Sequence, residues 1–161
     1  MRVMMDEIEA MIATVPGCQV VFSSENRLLV WREGLTYEFM AGERQLRISA
    51  EVGSMDEVYD PSSAEGVFLP ACAAQMGELL DAQYMCAGTA GFPLSIPRGG
   101  GSVRLNLVLP SAGLSSSALL TQFGRLAEAA VAWTARLRQV AAGADSAPGE
   151  APEPSEFRIE V

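Results

Sequence analysis

Four apolar stretches follow one another between residues 19 and 52, with only two to four residues between them. Connections this short join antiparallel neighbours, because parallel strands need a crossover of about a dozen residues or more. The last stretch alternates regularly, with Leu46, Ile48, Ala50 and Val52 apolar and the residues between them mostly polar. Such alternation is typical of a sheet that is covered on one face. This spacing predicts three or four strands of an antiparallel meander.

Three further segments have the spacing of amphipathic helices. Apolar residues recur at helical intervals over Val3–Val15, over about Ala64–Tyr84 and over about Ser115–Ala142. Pro16-Gly17 ends the first helix, and a serine at positions 115 to 117 caps the last one.

Two more strands, Phe92–Ile96 and Val103–Leu109, are predicted between the second and third helices, joined by the turn PRGGGS. The element order is therefore α-βββ-α-ββ-α in its simplest form. It predicts an α+β fold in which three helices pack against a mostly antiparallel, twisted sheet.

The predicted domain covers residues 1–142. From residue 143 to residue 161 the sequence is rich in proline, alanine and glutamate and lacks core residues until its end. Such a composition predicts a disordered acidic tail. The final stretch, Phe157–Val161, alternates weakly and predicts a segment able to add as a strand to another surface.

Composition disfavours several classes of function. The formal net charge is −9, from 11 basic and 20 acidic residues, and an acidic chain is repelled by nucleic acids and anionic membranes. The sequence has no histidine, which removes the most common general base and metal ligand. Cys18, Cys72 and Cys86 form no C-x-x-C pair, so neither a zinc site nor a disulfide framework is expected. We expect no catalytic residue, no metal and no cofactor.

The location of the protein is predicted from its first residues. Asp6, Glu7 and Glu9 stand where a secretory signal needs an apolar core. No apolar run approaches the length needed to cross a bilayer. We therefore expect a cytoplasmic protein that does not insert into a membrane.

The segment from Leu105 to Leu137 gives the strongest resemblance to a known family. A strand LNLVLP, a short turn and the helix LLTQFGRLAEAAVAWTARL resemble the C-terminal half of the class I type III secretion chaperones, the Tir-chaperone-like family. Ala127-Glu128 followed by Trp133 and Leu137 is similar to the end of that family's last helix. The resemblance covers about residues 3–141 and includes the element order and the acidic character of the chain.

The resemblance implies a non-catalytic homodimer that binds the N-terminal region of type III secreted effector proteins, which are virulence factors. The effector segment would be held in extended form, soluble and ready for export, and the chaperone would contact the secretion-system ATPase. A broad-specificity export-control chaperone is one subclass that fits. The expected effector-binding residues are Met4, Ile8, Met11, Leu29, Trp31 and Met40. The expected dimer interface consists of Leu79, Leu80, Leu94 and Ile96.

Two other functions remain open from the sequence. One is an α+β adaptor that binds a folded partner outside secretion. The other is a small enzyme that uses a cysteine as its nucleophile, which requires a reactive thiol in a polar cleft.

Overall fold

A computed structural model describes the chain at residues 4–54, 89–95 and 102–146. Within these ranges there are two helices and six strands. The helices are α1 (Met5–Ala13) and α2 (Ser116–Ser146), and the strands are β1 (Gln19–Ser23), β2 (Arg27–Arg32), β3 (Leu35–Ala41), β4 (Gln45–Ser54), β5 (Leu94–Ser95) and β6 (Ser102–Pro110). The predicted middle helix, the PRGGGS turn up to residue 101 and the tail after residue 146 lie outside the described residues.

The six strands form one sheet in the order β1-β2-β3-β4-β6-β5. Every pairing in it is antiparallel. This confirms the α+β class and the predicted meander. Four strands, not three, precede the middle segment, because the short stretch Gln19–Ser23 pairs with β2 along its length.

Strand β1 contains a β-bulge that decides which way its side chains point. Val20 lies opposite Val30, but the register then shifts so that Phe22 lies opposite Leu29. Without the extra residue, Phe22 would lie opposite Leu28 and share the face of Val20. The bulge therefore turns Phe22 to the other face of the sheet, which is a common effect of bulges near sheet edges.

One face of the sheet, the inner face, forms the core with the two helices. Its strand residues are fully or almost fully buried: Leu28, Val30, Leu35, Tyr37, Phe39, Leu46, Ile48, Ala50, Val52, Val103, Leu105 and Leu107. The same cluster contains Ile8 and Ile12 of α1 and Phe123 of α2. The Phe123 ring lies edge-on to Tyr37, with ring centroids 5.2 Å apart, and 5.4 Å from Phe39. Both described helices therefore cover the inner face.

The long helix α2 follows the predicted pattern closely. Ser115 precedes its first residue, and its Oγ accepts a hydrogen bond from the backbone N–H of Ala118 at 3.2 Å, as expected of an N-cap. The buried stripe runs through Leu119, Phe123, Leu126, Ala127, Ala130, Trp133 and Leu137. The helix continues to Ser146, four residues beyond its predicted end at Ala142 and past the predicted domain boundary at residue 143.

The first helix is shorter than predicted. It spans Met5–Ala13 and buries Met5, Ile8 and Ile12. Asp6 and Glu7 occupy its first turn, where negative charge interacts favourably with the positive end of the helix dipole. Gly17, in the following turn, has a φ of 80°, a backbone conformation that glycine adopts without steric cost. No described helix combines the length and apolar character needed to cross a membrane.

Candidate functional site

The second face of the sheet, the outer face, carries exposed apolar side chains. Phe22 and Trp31 are each 45% exposed and Met40 is 47% exposed, and Leu29 between them is half-buried. We call these four residues, Phe22, Leu29, Trp31 and Met40, the outer patch. Neither described helix covers it, because both contribute to the core on the inner face.

Strand register places the four residues of the outer patch next to one another. Phe22 on β1 lies directly opposite Leu29 on β2, and Trp31 follows two residues along the same strand. Met40 on β3 lies opposite Arg27 and diagonally from Leu29, a distance that long side chains can bridge. Phe22, Leu29 and Trp31 therefore adjoin one another on β1 and β2, and Met40 on β3 lies on the other side of the Arg27–Glu38 ion pair from Leu29.

An ion-pair network crosses the outer patch between Leu29 and Met40. The Glu38 carboxylate on β3 accepts a hydrogen bond from Arg27 Nε at 2.7 Å and another from Arg104 Nη1 of β6 at 3.2 Å. The Glu38 side chain is only 13% exposed, so the two guanidinium groups compensate a largely desolvated charge. Arg27 also lies 5.8 Å from the centroid of the Phe22 ring, within the range of a cation–π contact. Apolar and cationic groups thus alternate on this face.

The outer face continues beyond Met40 towards β6. Met40 lies opposite Arg47 on β4, and Arg47 lies opposite Val108 on β6. Val108 is 53% exposed. A ligand long enough to cross several strands would therefore meet apolar groups at both ends and arginine between them.

The predicted effector-binding residues separate into two layers. Leu29, Trp31 and Met40 lie together in the outer patch. Met4, at the start of α1, is exposed, and Met11 is half-buried against the core, so both belong to the helical layer on the other side of the sheet. Ile8 has no exposed surface, and its side chain is therefore part of the core and not of an open groove.

Only one of the predicted dimer-interface residues lies within the described residues. Leu94 is 5% exposed and pairs with Leu105 on β6, so its side chain packs in the core of its own chain. Leu79, Leu80 and Ile96 lie outside the described residues.

Sequence reasoning missed Phe22, Arg27, Glu38 and Arg104. A strand that alternated regularly would have Phe22 on the same face as Val20. No residue type in QVVFS signals the bulge that turns Phe22 to the other face. The sequence did contain a signal for the ion pair, because Arg27 and Glu38 occupy outward-facing positions of adjacent predicted strands. Their link to Arg104, 66 residues further along the chain, depends on β6 joining the same sheet.

Two described side chains have pKa values that are raised by burial, Cys18 and Tyr37. Burial raises the pKa of the Cys18 thiol, and Arg32 acts in the opposite direction, so the thiol stays protonated and unreactive near neutral pH. Burial also raises the pKa of Tyr37 to about 12, again against the effect of Arg32. No group of three or more metal-binding side chains is found in the described part of the chain.

Comparison with known proteins adds information on the fold. No family model matches the sequence, and no curated protein matches it. The structure is similar to a crystal structure of an uncharacterized protein from Methanothermobacter thermautotrophicus, with a TM-score of 0.52 and 12% identity, covering 83% of this chain and 96% of that chain. At this identity the similarity shows a shared fold and carries no information on function.

Proposed function

We propose that the protein is a non-catalytic binding protein that holds an extended polypeptide segment on the outer face of its sheet. The observation that carries the proposal is the outer patch itself. Exposed large apolar side chains that adjoin one another on a folded domain mark interaction sites. Aromatic residues and arginine are the side chains most enriched in the energetically dominant parts of such sites.

An extended chain suits this surface better than a small molecule. The patch is spread across three strands and is not enclosed, whereas small-molecule sites are concave and bury most of their ligand. Strand β1 lies at one end of the strand order and pairs only with β2 among the described strands. A segment that adds to its free edge can place alternate side chains on the outer patch.

The resemblance to class I type III secretion chaperones extends this proposal to a client. In that case the bound segment is the N-terminal region of a secreted effector, and the protein is a cytoplasmic homodimer that keeps the effector ready for export. The outer face carries arginine side chains among its apolar residues, although the whole chain is acidic. Such a surface is compatible with this kind of client. The proposal includes no catalytic step: the sequence has no histidine, and the raised pKa of Cys18 disfavours its thiolate.

The test uses an outer-patch variant with Phe22→Ser, Trp31→Ser and Met40→Ser. The matched control is Val131→Ser, because Val131 is an exposed apolar residue on α2. Tagged full-length proteins are expressed in the native cell, and the co-purified proteins are identified and mapped by limited proteolysis. We expect the wild type and the control to retain N-terminal segments of secreted proteins and the outer-patch variant to lose them.

Two results of this experiment would contradict the proposal. If the outer-patch variant retains the same partners as the wild type, the patch is not the binding surface. If the partners are retained only as intact folded domains, the adaptor function is correct and the binding of extended segments is not.

A further inference from the structure

The far edge of the sheet is only partly covered in the described structure. Strand β5 pairs with β6 at Leu105 and Arg104, and the backbone N–H of Asn106 donates to the Pro93 carbonyl at 2.9 Å. On the side of β6 that faces away from β4, no described strand lies beside it from Leu107 to its end at Pro110. The antiparallel ladder alternates, so the backbone N–H and C=O of Val108 point towards this open edge, as those of Asn106 do.

A groove of about 440 Å³ runs along the open edge. Phe92, Leu107 and Val108 contribute apolar surface to it, and Gln122 and Arg125 of α2 form its opposite side. The Arg125 guanidinium lies 5.8 Å from the centroid of the Phe92 ring. None of the lining residues is acidic, so the groove combines a free backbone edge, apolar surface and one positive charge.

The sequence contains a segment with complementary properties. Residues 147–161 hold four glutamates and one arginine, a formal net charge of −3. At their end Phe157, Ile159 and Val161 alternate with charged residues, which is the pattern of a strand with one apolar face.

The tail is also long enough to reach the groove. Arg125 lies 21 residues before the end of α2 at Ser146, which is about 31 Å along a helix at 1.5 Å per residue. The ten residues 147–156 can span about 31 Å, at the 3.1 Å per residue of an extended polyproline chain. Phe157 therefore arrives at the level of Arg125 when the tail runs back along α2.

We propose that Phe157–Val161 binds in this groove as a strand beside Val108, with Glu156 facing Arg125. The contact is intramolecular, so the tail is present at an effective concentration in the millimolar range. It covers a backbone edge that otherwise pairs readily with other chains. This inference does not depend on the proposed function, because it concerns the opposite edge of the sheet from β1.

The experiment measures amide hydrogen exchange at Val108 by NMR in full-length protein. The test variant is Phe157→Asp with Ile159→Asp, and the control is Ala147→Asp with Ala151→Asp, which adds the same charge outside the proposed strand. We expect exchange at Val108 to be slow in the wild type and the control, and about 10-fold faster in the test variant. Unchanged exchange at Phe39, in the core, shows that the fold is intact.

A charge exchange tests the proposed pair directly. Arg125→Glu is expected to accelerate exchange at Val108, and Arg125→Glu combined with Glu156→Arg is expected to restore protection. Equal exchange in the wild type and the Phe157→Asp/Ile159→Asp variant would overturn the proposal. Protection that increases with protein concentration would also overturn it, because it would show that a second copy supplies the strand.

Discussion

The two faces of the sheet differ although the same strands build both. On β2, Leu28 and Val30 are fully buried, whereas Trp31 is 45% exposed. On β3, Tyr37 and Phe39 are fully buried, whereas Met40 is 47% exposed. The inner face is closed by α1 and α2, and the described structure leaves the outer patch without a covering layer. The inner apolar residues serve the fold of the chain, and in the proposed function the outer ones bind a partner.

The largest expected effect is on the inner face. Phe123→Ala removes the ring that contacts Tyr37 and Phe39 and leaves a cavity between α2 and the sheet. We expect it to lower the free energy of unfolding by about 3–5 kcal/mol, measured by urea denaturation. Val131→Ala, on the exposed side of the same helix, is the control and is expected to change it by about 0.5 kcal/mol or less. A loss below about 1 kcal/mol for Phe123→Ala would contradict the assignment of the core.

A second prediction concerns the phenol of Tyr37. Its hydroxyl is buried and has no hydrogen-bond partner among the described residues, and burial raises its pKa from the ordinary value of 10.0 to about 12. The folded state therefore favours the neutral phenol more than the unfolded state does. The stability of the fold does not change with the titration of this group below pH 10, and it falls as the pH rises from 10 through 12. We expect unfolding free energy to fall more steeply from pH 10 to 12 in the wild type than in Tyr37→Phe.

The same substitution has an expected effect at neutral pH. Tyr37→Phe removes an unpaired buried hydroxyl and keeps the ring, so it should stabilise the protein by about 1 kcal/mol. Urea denaturation at pH 7 measures this change. Parallel pH profiles of the two proteins would contradict the raised pKa, and a destabilised variant at pH 7 would show that the hydroxyl has a hydrogen-bond partner.

The ion-pair network on the outer face is expected to contribute less than the core. Glu38→Gln leaves Arg27 and Arg104 without their common carboxylate, which is only 13% exposed, and should lower the free energy of unfolding by about 1–3 kcal/mol. Added salt should reduce part of the difference between the wild type and the variant, because both guanidinium groups are partly exposed and are screened. Urea denaturation at low and high salt measures both effects. A salt-independent loss would point to packing of the Glu38 side chain as its main role.

Among the destabilising test variants, the smallest loss of stability is expected in the outer patch. Trp31→Ala removes a large side chain that is already 45% exposed, so the free energy of unfolding should fall by about 1–2 kcal/mol, less than for the fully buried ring of Phe123. The loss of unfolding free energy in Phe123→Ala is the reference value for the removal of a fully buried ring. A loss for Trp31→Ala comparable to that for Phe123→Ala would show that the outer patch belongs to the fold, which would contradict the proposed difference between the faces.

The sequence predicted local structure well because neighbouring residues determine it. The alternation of Leu46, Ile48, Ala50 and Val52 gave a strand with one buried face, and Ser115 caps α2 as its position predicts. The end of α2 was misplaced because alanine favours helix and carries the helix through Ala142 to Ser146.

The candidate site was predicted only in part because it depends on contacts between distant elements. Leu29, Trp31 and Met40 were identified from their residue types, and they meet because β2 and β3 are adjacent. Ile8 was assigned to a groove because helical spacing shows which residues share a face but not what covers that face. Phe22 was missed because a single-residue bulge, which has no signature in its sequence, reverses its direction.

The most direct test of the account compares two methionines of similar exposure on opposite sides of the sheet. Met40, in the outer patch, is 47% exposed, and Met4, at the start of α1, is 56% exposed. Hydroxyl-radical footprinting of the full-length protein, alone and with its co-purified polypeptide, reports on both side chains in one sample. The account predicts that the polypeptide protects Met40 and Trp31 from oxidation and leaves Met4 unchanged. Protection of Met4 with no change at Met40 and Trp31 would contradict it.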